Sequence, residues 1–280
     1  MTTTPVNPQA LPDRTKIAIF AMMAFGQFMA LLDIQIVAGS LGSIQAGLSA
    51  GPDEIAWVQT AYLMAEIVMI PLAAFLSQAI STRWLFTASA GLFTLSSLMC
   101  GMAWDIDSMI FFRALQGFVG GAMVPTVFAT GFVLFDGPRR AMVPAILGIT
   151  STLAPTLGPS VGGWITDVAD WRWLFFINVF PGAIVLFLVG RYAHFDKGDP
   201  SLSKGFDWLG LALMAAFLMS LQFVLEEGAK EDWFADDMIL LLSVVAAVCG
   251  PAFVWRSLSY RNPIVELRAF GNRNFVVGVL

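Results

Sequence analysis

The stretch from Ile17 to Val37, IAIFAMMAFGQFMALLDIQIV, is apolar almost throughout and carries a single charge, Asp33. A bilayer core of ~30 Å needs about 20 apolar residues at helical rise, and this stretch supplies them. Seven further blocks repeat the pattern: Ala56–Gln78, Trp84–Met102, Met109–Phe135, Met142–Ile165, Trp173–Leu188, Trp208–Leu225 and Met238–Val254. The two shorter ones reach spanning length once their flanks are counted. Backbone groups in lipid must be satisfied within the segment, so each block is expected to be a helix. Composition agrees, with 58% hydrophobic and 12% charged residues and a mean hydropathy of +0.76; a soluble domain carries about twice that charge. The expected fold class is all-α, a polytopic membrane protein with eight complete spans. Asn274 to Leu280, NFVVGVL, opens another apolar segment. It reads as the start of a ninth span in a longer protein.

The charges between the blocks alternate in sign. Arg14, Lys16, Arg83, Arg139, Arg140, Arg191, Lys197, Lys204, Arg256, Arg261, Arg268 and Arg273 fall in one set of gaps. The other set holds Arg172 and Lys230 among Asp53, Glu54, Asp105, Asp107, Asp167, Asp170 and the acids from Glu226 to Asp237. Positively charged loops stay cytoplasmic, so the N-terminus is expected inside, with odd spans running outward. The net charge of -5 follows from the acidic outer loops and gives no reason to expect nucleic acid. Met1 to Asp13 lacks a secretory apolar core, so the first span is expected to act as an uncleaved signal. Cys100 and Cys249 lie inside spans, which gives no disulfide framework. His194 stands alone, so no metal site is expected. No phosphate-binding Gly-x-x-x-x-Gly-Lys-[Ser/Thr] loop is present to drive a pump with ATP, and no cofactor is implied. A membrane-embedded enzyme would need a nucleophile–base or metal constellation, and none is visible.

Three charged residues lie well inside the blocks: Asp33, Glu66 and Arg113. Each costs at least ~2.5 kcal/mol to insert and marks a functional candidate by default. Asp33 stands four residues from the outer end of its block, about 6 Å deep, and Arg113 is at a similar depth in the fourth. Glu66 falls near the middle of the second. An acid and a base at one depth can pair, which lowers the cost of both. Such a pair either fixes helix packing or forms a protonation site tuned by burial and by the nearby Arg.

Two blocks carry more than hydrophobicity. In the fourth, Arg113, Gln116 and Gly117 share one helical face at i, i+3 and i+4, while Gly117, Gly120 and Gly121 permit close helix approach. In the fifth, Gly148 precedes Ala154-Pro155-Thr156-Leu157-Gly158-Pro159-Ser160-Val161-Gly162-Gly163. Gly158 and Gly162 make a Gly-x-x-x-Gly pair, and Pro155 and Pro159 are expected to bend the helix. The segment is either a packing helix or a hinge and seal between two rocking halves.

These residues resemble the major facilitator superfamily, and more narrowly its fourteen-span drug:proton antiporters of the EmrB/QacA type. Leu32-Asp33-Ile34-Gln35-Ile36-Val37 resembles the family's first-span motif and Arg113-x-x-Gln116-Gly117 its fourth-span motif. Gly148 with Gly158-Pro159-Ser160-Val161-Gly162-Gly163 resembles its fifth-span antiporter motif. Trp171 to Asn178, Asp232-Trp233-Phe234 and Asn262-Pro263-Ile264-Val265 are also similar to EmrB-type sequences. The resemblance implies a major facilitator fold: a cytoplasmic tail over 1–16, a six-helix bundle over 17–191, a cytoplasmic linker over 192–207, an extra helix pair over 208–257, and a cytoplasmic loop leading into a second bundle over 258–280. It implies that Asp33 and Arg113, with Gln116, serve proton coupling or cation recognition, and that Gly158, Pro159, Gly162 and Gly163 seal the cavity. Glu66 rests on burial alone. The implied activity is export of lipophilic, often cationic drugs in exchange for protons, from the inner membrane, in contact with membrane lipid. Relatives of this type work with a periplasmic adaptor and an outer-membrane channel. Export of another solute, or a non-transporting sensor, is the alternative. One departure stands out: after the second span the family reads Gly-x-Leu-Ala-Asp-Arg-x-Gly. Here Ala74 to Ser81 keeps only Leu76, leaving Arg83 to serve the cytoplasmic gate.

Overall fold

The computed structural model describes residues 11–193, 196–230 and 232–271. His194 and the segment opening at Asn274 therefore lie outside the described residues. The chain forms two compact units, Met1–Gly198 and Asp199–Leu280. In the first, the helices are α1 (Asp13–Ala38), α2 (Leu41–Leu48), α3 (Pro52–Ile80), α4 (Thr82–Gly101), α5 (Ile106–Gly120), α6 (Met123–Leu134), α7 (Met142–Val168), α8 (Trp173–Phe176) and α9 (Val179–Tyr192). The second holds α10 (Trp208–Glu227) and α11 (Asp237–Ser259). Among the described residues, eight helical stretches are long and apolar enough to cross a membrane, one for each apolar block. The fourth, Ile106–Leu134, runs through α5 and α6, and the sixth, Trp173–Tyr192, through α8 and α9.

A polar cap lets a helix begin ahead of its apolar block, as in α5. Asp105 accepts a hydrogen bond from the Ser108 amide at 2.8 Å and so starts α5 seven residues before Arg113, satisfying a donor that the helix leaves open. That bonding to Ser108 holds the Asp105 carboxyl below its ordinary value. Arg113 consequently lies about 10 Å into its span, deeper than the block boundary implies. The short helix α2 follows the first span and is too brief for a hydropathy block to mark it.

Within the first unit, α1 packs along α7 and touches α6 and α9, α3 packs along α5, and α4 lies against both α5 and α9. Two apolar clusters form. One gathers Met23, Ile34, Tyr62, Phe93, Val119 and Met123; the other gathers Ile36, Val58, Cys100, Phe112, Leu174 and Phe175. The boundary between them falls between Ile34 and Ile36 on α1, between Val58 and Tyr62 on α3, and between Phe112 and Val119 on α5. Arg113 occupies that boundary on α5, and Asp33 stands one residue before it on α1.

The second unit is an α10–α11 pair with a small core of Met214, Phe253 and Ile264. Asp207 caps α10 through the Gly210 amide at 2.9 Å and also pairs with Arg256 at 3.0 Å. The Tyr260 ring lies 4.1 Å from the same guanidinium. One carboxylate thus ties the start of α10 to the end of α11.

Candidate functional site

Asp33 on α1 and Arg113 on α5 are both fully buried, with Arg113 Nη1 donating to Asp33 Oδ2 at 2.7 Å. Nη1 also reaches Gln116 Oε1 at 2.8 Å, and Nε donates to the Val58 carbonyl at 3.3 Å. The guanidinium stacks 4.2 Å from the centre of the Tyr62 ring, a cation–π contact strengthened by the absence of water. The second carboxylate oxygen, Oδ1, accepts from Asn178 Nδ2 at 2.6 Å. That nitrogen also contacts Ser97 Oγ at 3.1 Å, and the Ser97 hydroxyl donates to the Phe175 carbonyl at 2.9 Å. A buried charge is tolerable when both its counter-charge and its spare lone pairs are met, and this carboxylate has both. Three buried polar atoms at the same centre, Tyr62 Oη, Arg113 Nη2 and Gln116 Nε2, have no hydrogen-bond partner among the described residues.

Asn178 reaches the acid from the turn between α8 and α9. There the span tightens, with the Leu174 and Asn178 amides bonding three residues back to Trp171 and Phe175; such 3-10 stretches within a helix recur at functional hinges. The run from Trp171 to Asn178 stands out in the sequence, yet nothing in it assigns a role to Asn178, nor to Ser97 or Tyr62. An uncharged amide in an apolar span was the available signal.

Glu66 sits one turn beyond Tyr62 on α3, partly buried, close enough to Arg113 and Asp33 for their charges to act on it. It makes no hydrogen bond or ion pair among the described residues. Glycines set its distance from α5. A Cβ on Gly117 would collide with the Tyr62 carbonyl oxygen, and one on Gly121 would stand 2.7 Å from that of Glu66. Main chain meets main chain there, so α3 and α5 approach as closely as helices can.

The fifth-span residues divide by face. Gly158 and Gly162 press on α1 just beyond Asp33: a Cβ on the first would collide with Gln35 Cβ, and one on the second would meet Ser40 Oγ at 2.6 Å. Pro159 touches α1 at Gly39. Gly148 and Gly163 have no neighbour within 4 Å of a built Cβ, and Pro155 is exposed. Arg83 stands apart from the buried centre. Its Nη2 donates to the Gly190 carbonyl, and the amides of Thr82 and Arg83 donate to the Asp196 carboxylate, fastening the start of α4 to the segment after α9.

Eight membrane-length helices with a buried ion pair among them define a multi-pass membrane protein. The model of the Major Facilitator Superfamily matches residues 23–271, and the chain belongs to that family, whose members are transporters rather than enzymes. It is 44% identical over 269 residues to the colistin resistance protein EmrB of Acinetobacter baumannii, covering 96% of this chain and 52% of that one. It is 33% identical over 258 residues to the multidrug export protein EmrB of Haemophilus influenzae, covering 92% and 50%. Within the family it is thus similar to the EmrB proteins, and it spans about half the length of the curated relatives it matches. Among solved structures, a bacterial homologue of the human lysosomal transporter Spinster, inward-facing and occupied, superposes with a TM-score of 0.56 at 13% identity, over 91% of this chain and 64% of that one; that likeness concerns the fold alone.

Proposed function

We propose that the protein exports lipophilic, often cationic small molecules in exchange for protons, and that this chain contributes the coupling centre. The observation that carries the reading is one buried guanidinium whose charge acts on two carboxylates, Asp33, held by Arg113 and Asn178, and Glu66, left without an ion pair among the described residues. Asp33 takes the proton. Protonation removes its charge, the 2.7 Å ion pair loses its basis, and Arg113 turns toward Glu66. A cationic substrate held at Glu66 is displaced. Proton and substrate compete through Arg113, so each weakens the other's binding by the same factor. Gln116, on the Arg113 face, steadies the guanidinium in both positions.

Gly158, Pro159 and Gly162 couple α7 to the end of α1 that carries Asp33, which suits a hinge and seal, whereas Gly148 and Gly163 meet no neighbour and Pro155 is exposed, leaving them available to the rest of the transporter. Arg83 belongs to the cytoplasmic gate. The charge asymmetry of the loops supports an inner-membrane protein with its N-terminus in the cytoplasm. The EmrB likeness supports work with a periplasmic adaptor and an outer-membrane channel.

The test uses everted, energised vesicles bearing the full-length protein, with a pH-sensitive dye reporting proton release as lipophilic cations are added. Substrate-evoked release in wild type, lost in both Asp33→Asn and Glu66→Gln, is expected. Release that persists in Asp33→Asn would leave the Asp33–Arg113 pair a packing device and move the proton to Glu66.

A further inference from the structure

Among the described residues no side chain of the third span bonds to Asp33 or Arg113, yet two of its side chains hold the groups that do. Ser97 and Cys100 stand three residues apart on α4, on one helical face, and both are fully buried. The Cys100 thiol donates to Gln116 Oε1 at 3.5 Å, the oxygen that also accepts from Arg113 Nη1 at 2.8 Å. One turn away, Ser97 Oγ accepts from Asn178 Nδ2 at 3.1 Å, the nitrogen that donates to Asp33 at 2.6 Å. The base and the acid are thus each held through one amide, and both amides rest on α4.

The two contacts have opposite sense. A guanidinium can only donate, so Gln116 must present its oxygen to Arg113; an ionised carboxylate can only accept, so Asn178 must present its nitrogen to Asp33. The third span meets the first amide with a donor and the second with an acceptor, the hydroxyl proton of Ser97 going to the Phe175 carbonyl at 2.9 Å. Gln116 Nε2 has no partner among the described residues, so the thiol is the amide's one hold besides the guanidinium it serves. The span is itself closely seated. A Cβ on Gly101 would collide with the Phe176 ring, and one on Gly182 with the Thr94 hydroxyl. Tight contact with the sixth span therefore brackets the turn that carries Ser97 and Cys100.

We propose that Ser97 and Cys100 are positioning residues for the coupling pair, acting through Asn178 and Gln116 to hold Asp33 and Arg113 in their charged, bonded form. This deepens the coupling role proposed for Asp33 and rests on it. The thiol serves as an S–H donor and needs no ionisation. The charged and titratable groups that face one another there are Asp33 on α1, Tyr62 and Glu66 on α3, Cys100 on α4 and Arg113 on α5; Phe175 and Asn178, from the sixth span, carry no charge. Removing either contact from α4 loosens one partner of the pair. The charged form is then less favoured, and release requires less acid.

The full-length protein in everted, energised vesicles is assayed across a range of pH for proton release evoked by tetraphenylphosphonium, with a pH-sensitive dye as reporter. Cys100→Ala and Ser97→Ala are expected to accumulate normally and to move the pH of half-maximal release upward by roughly half a unit to one unit, the size of one neutral hydrogen bond. Cys100→Ser keeps a donor within reach of the flexible Gln116 side chain and should recover most of its shift. Ser96, as buried as its neighbour, makes no hydrogen bond to either amide among the described residues, so Ser96→Ala should follow wild type. Asp33→Asn should be silent. Wild-type midpoints in both alanine variants, with Asp33→Asn silent, would overturn the role of α4 alone. So would a lowered membrane yield with an unmoved midpoint, or equal shifts in Cys100→Ser and Cys100→Ala, either of which would trace the effect to packing. Release that persists in Asp33→Asn would overturn the coupling reading and this inference with it.

Discussion

Asn178 Nδ2 lies 2.6 Å from Asp33 Oδ1, across a separation of 145 residues. Arg113 holds the other oxygen of the same carboxylate, so the acid is gripped from α5 and from the turn between α8 and α9. Asn178→Leu leaves Oδ1 without its donor, an expected loss of about 1–3 kcal/mol, read as a lower Tm in detergent. Asn178→Asp sets two carboxylates side by side and should be the worse variant in stability. Equal Tm values for wild type and Asn178→Leu would remove Asn178 from the centre.

Breaking a buried pair by one partner costs about 3–5 kcal/mol, whereas replacing both with apolar residues is close to neutral. Arg113→Met should therefore fold poorly, and Asp33→Leu/Arg113→Met should recover most of the lost Tm. The double variant should still fail to release protons on addition of substrate. Recovery of transport together with stability would reduce the pair to packing.

Tyr62 separates two contributions. Tyr62→Phe keeps the ring beneath Arg113 and removes a hydroxyl that has no partner among the described residues, so its Tm should match or exceed that of wild type. Tyr62→Leu loses the cation–π contact, worth about 2 kcal/mol when desolvated, and should melt lower. A Tm for Tyr62→Phe as low as that for Tyr62→Leu would mean that the hydroxyl, not the ring, matters.

The glycines of α7 offer an internal control. Gly158→Ala and Gly162→Ala place a Cβ against α1 and should lower both membrane yield and transport. Gly148→Ala and Gly163→Ala meet nothing and should accumulate at wild-type levels. Transport lost in Gly163→Ala at normal yield would identify that face as one that engages another surface during the cycle.

The eight spans were legible because some twenty apolar residues in a row match the thickness of a bilayer core and little else. Asp33 and Arg113 stood out as charges in apolar surroundings, and their shared depth hinted at a partnership; the cap at Asp105, invisible to hydropathy, is why Arg113 lies deeper than its block suggested. Asn178, Ser97 and Tyr62 could not be linked from sequence, since uncharged polar residues are common in spans and only packing brings these three to one ion pair. The small residues of the fifth span were equally plain. Which of them face α1, as Gly158 and Gly162 do, depends on helix rotation, which glycine spacing leaves open. Glu66 was found by burial alone, and its neighbours, set by Gly117 and Gly121, needed the structure.

The long separations within the Asp33 network bear on how the protein is made. Arg113 follows Asp33 by 80 residues and Asn178 by 145. At about 5–20 residues per second, the ribosome needs roughly 7–30 s after Asp33 to deliver the last of its partners. Until Arg113 follows, the first span is in or entering the bilayer with its acid unmatched, and until Asn178 follows one carboxylate oxygen stays open, so the nascent chain depends on the insertion machinery, or on a transient proton, to keep that helix in place.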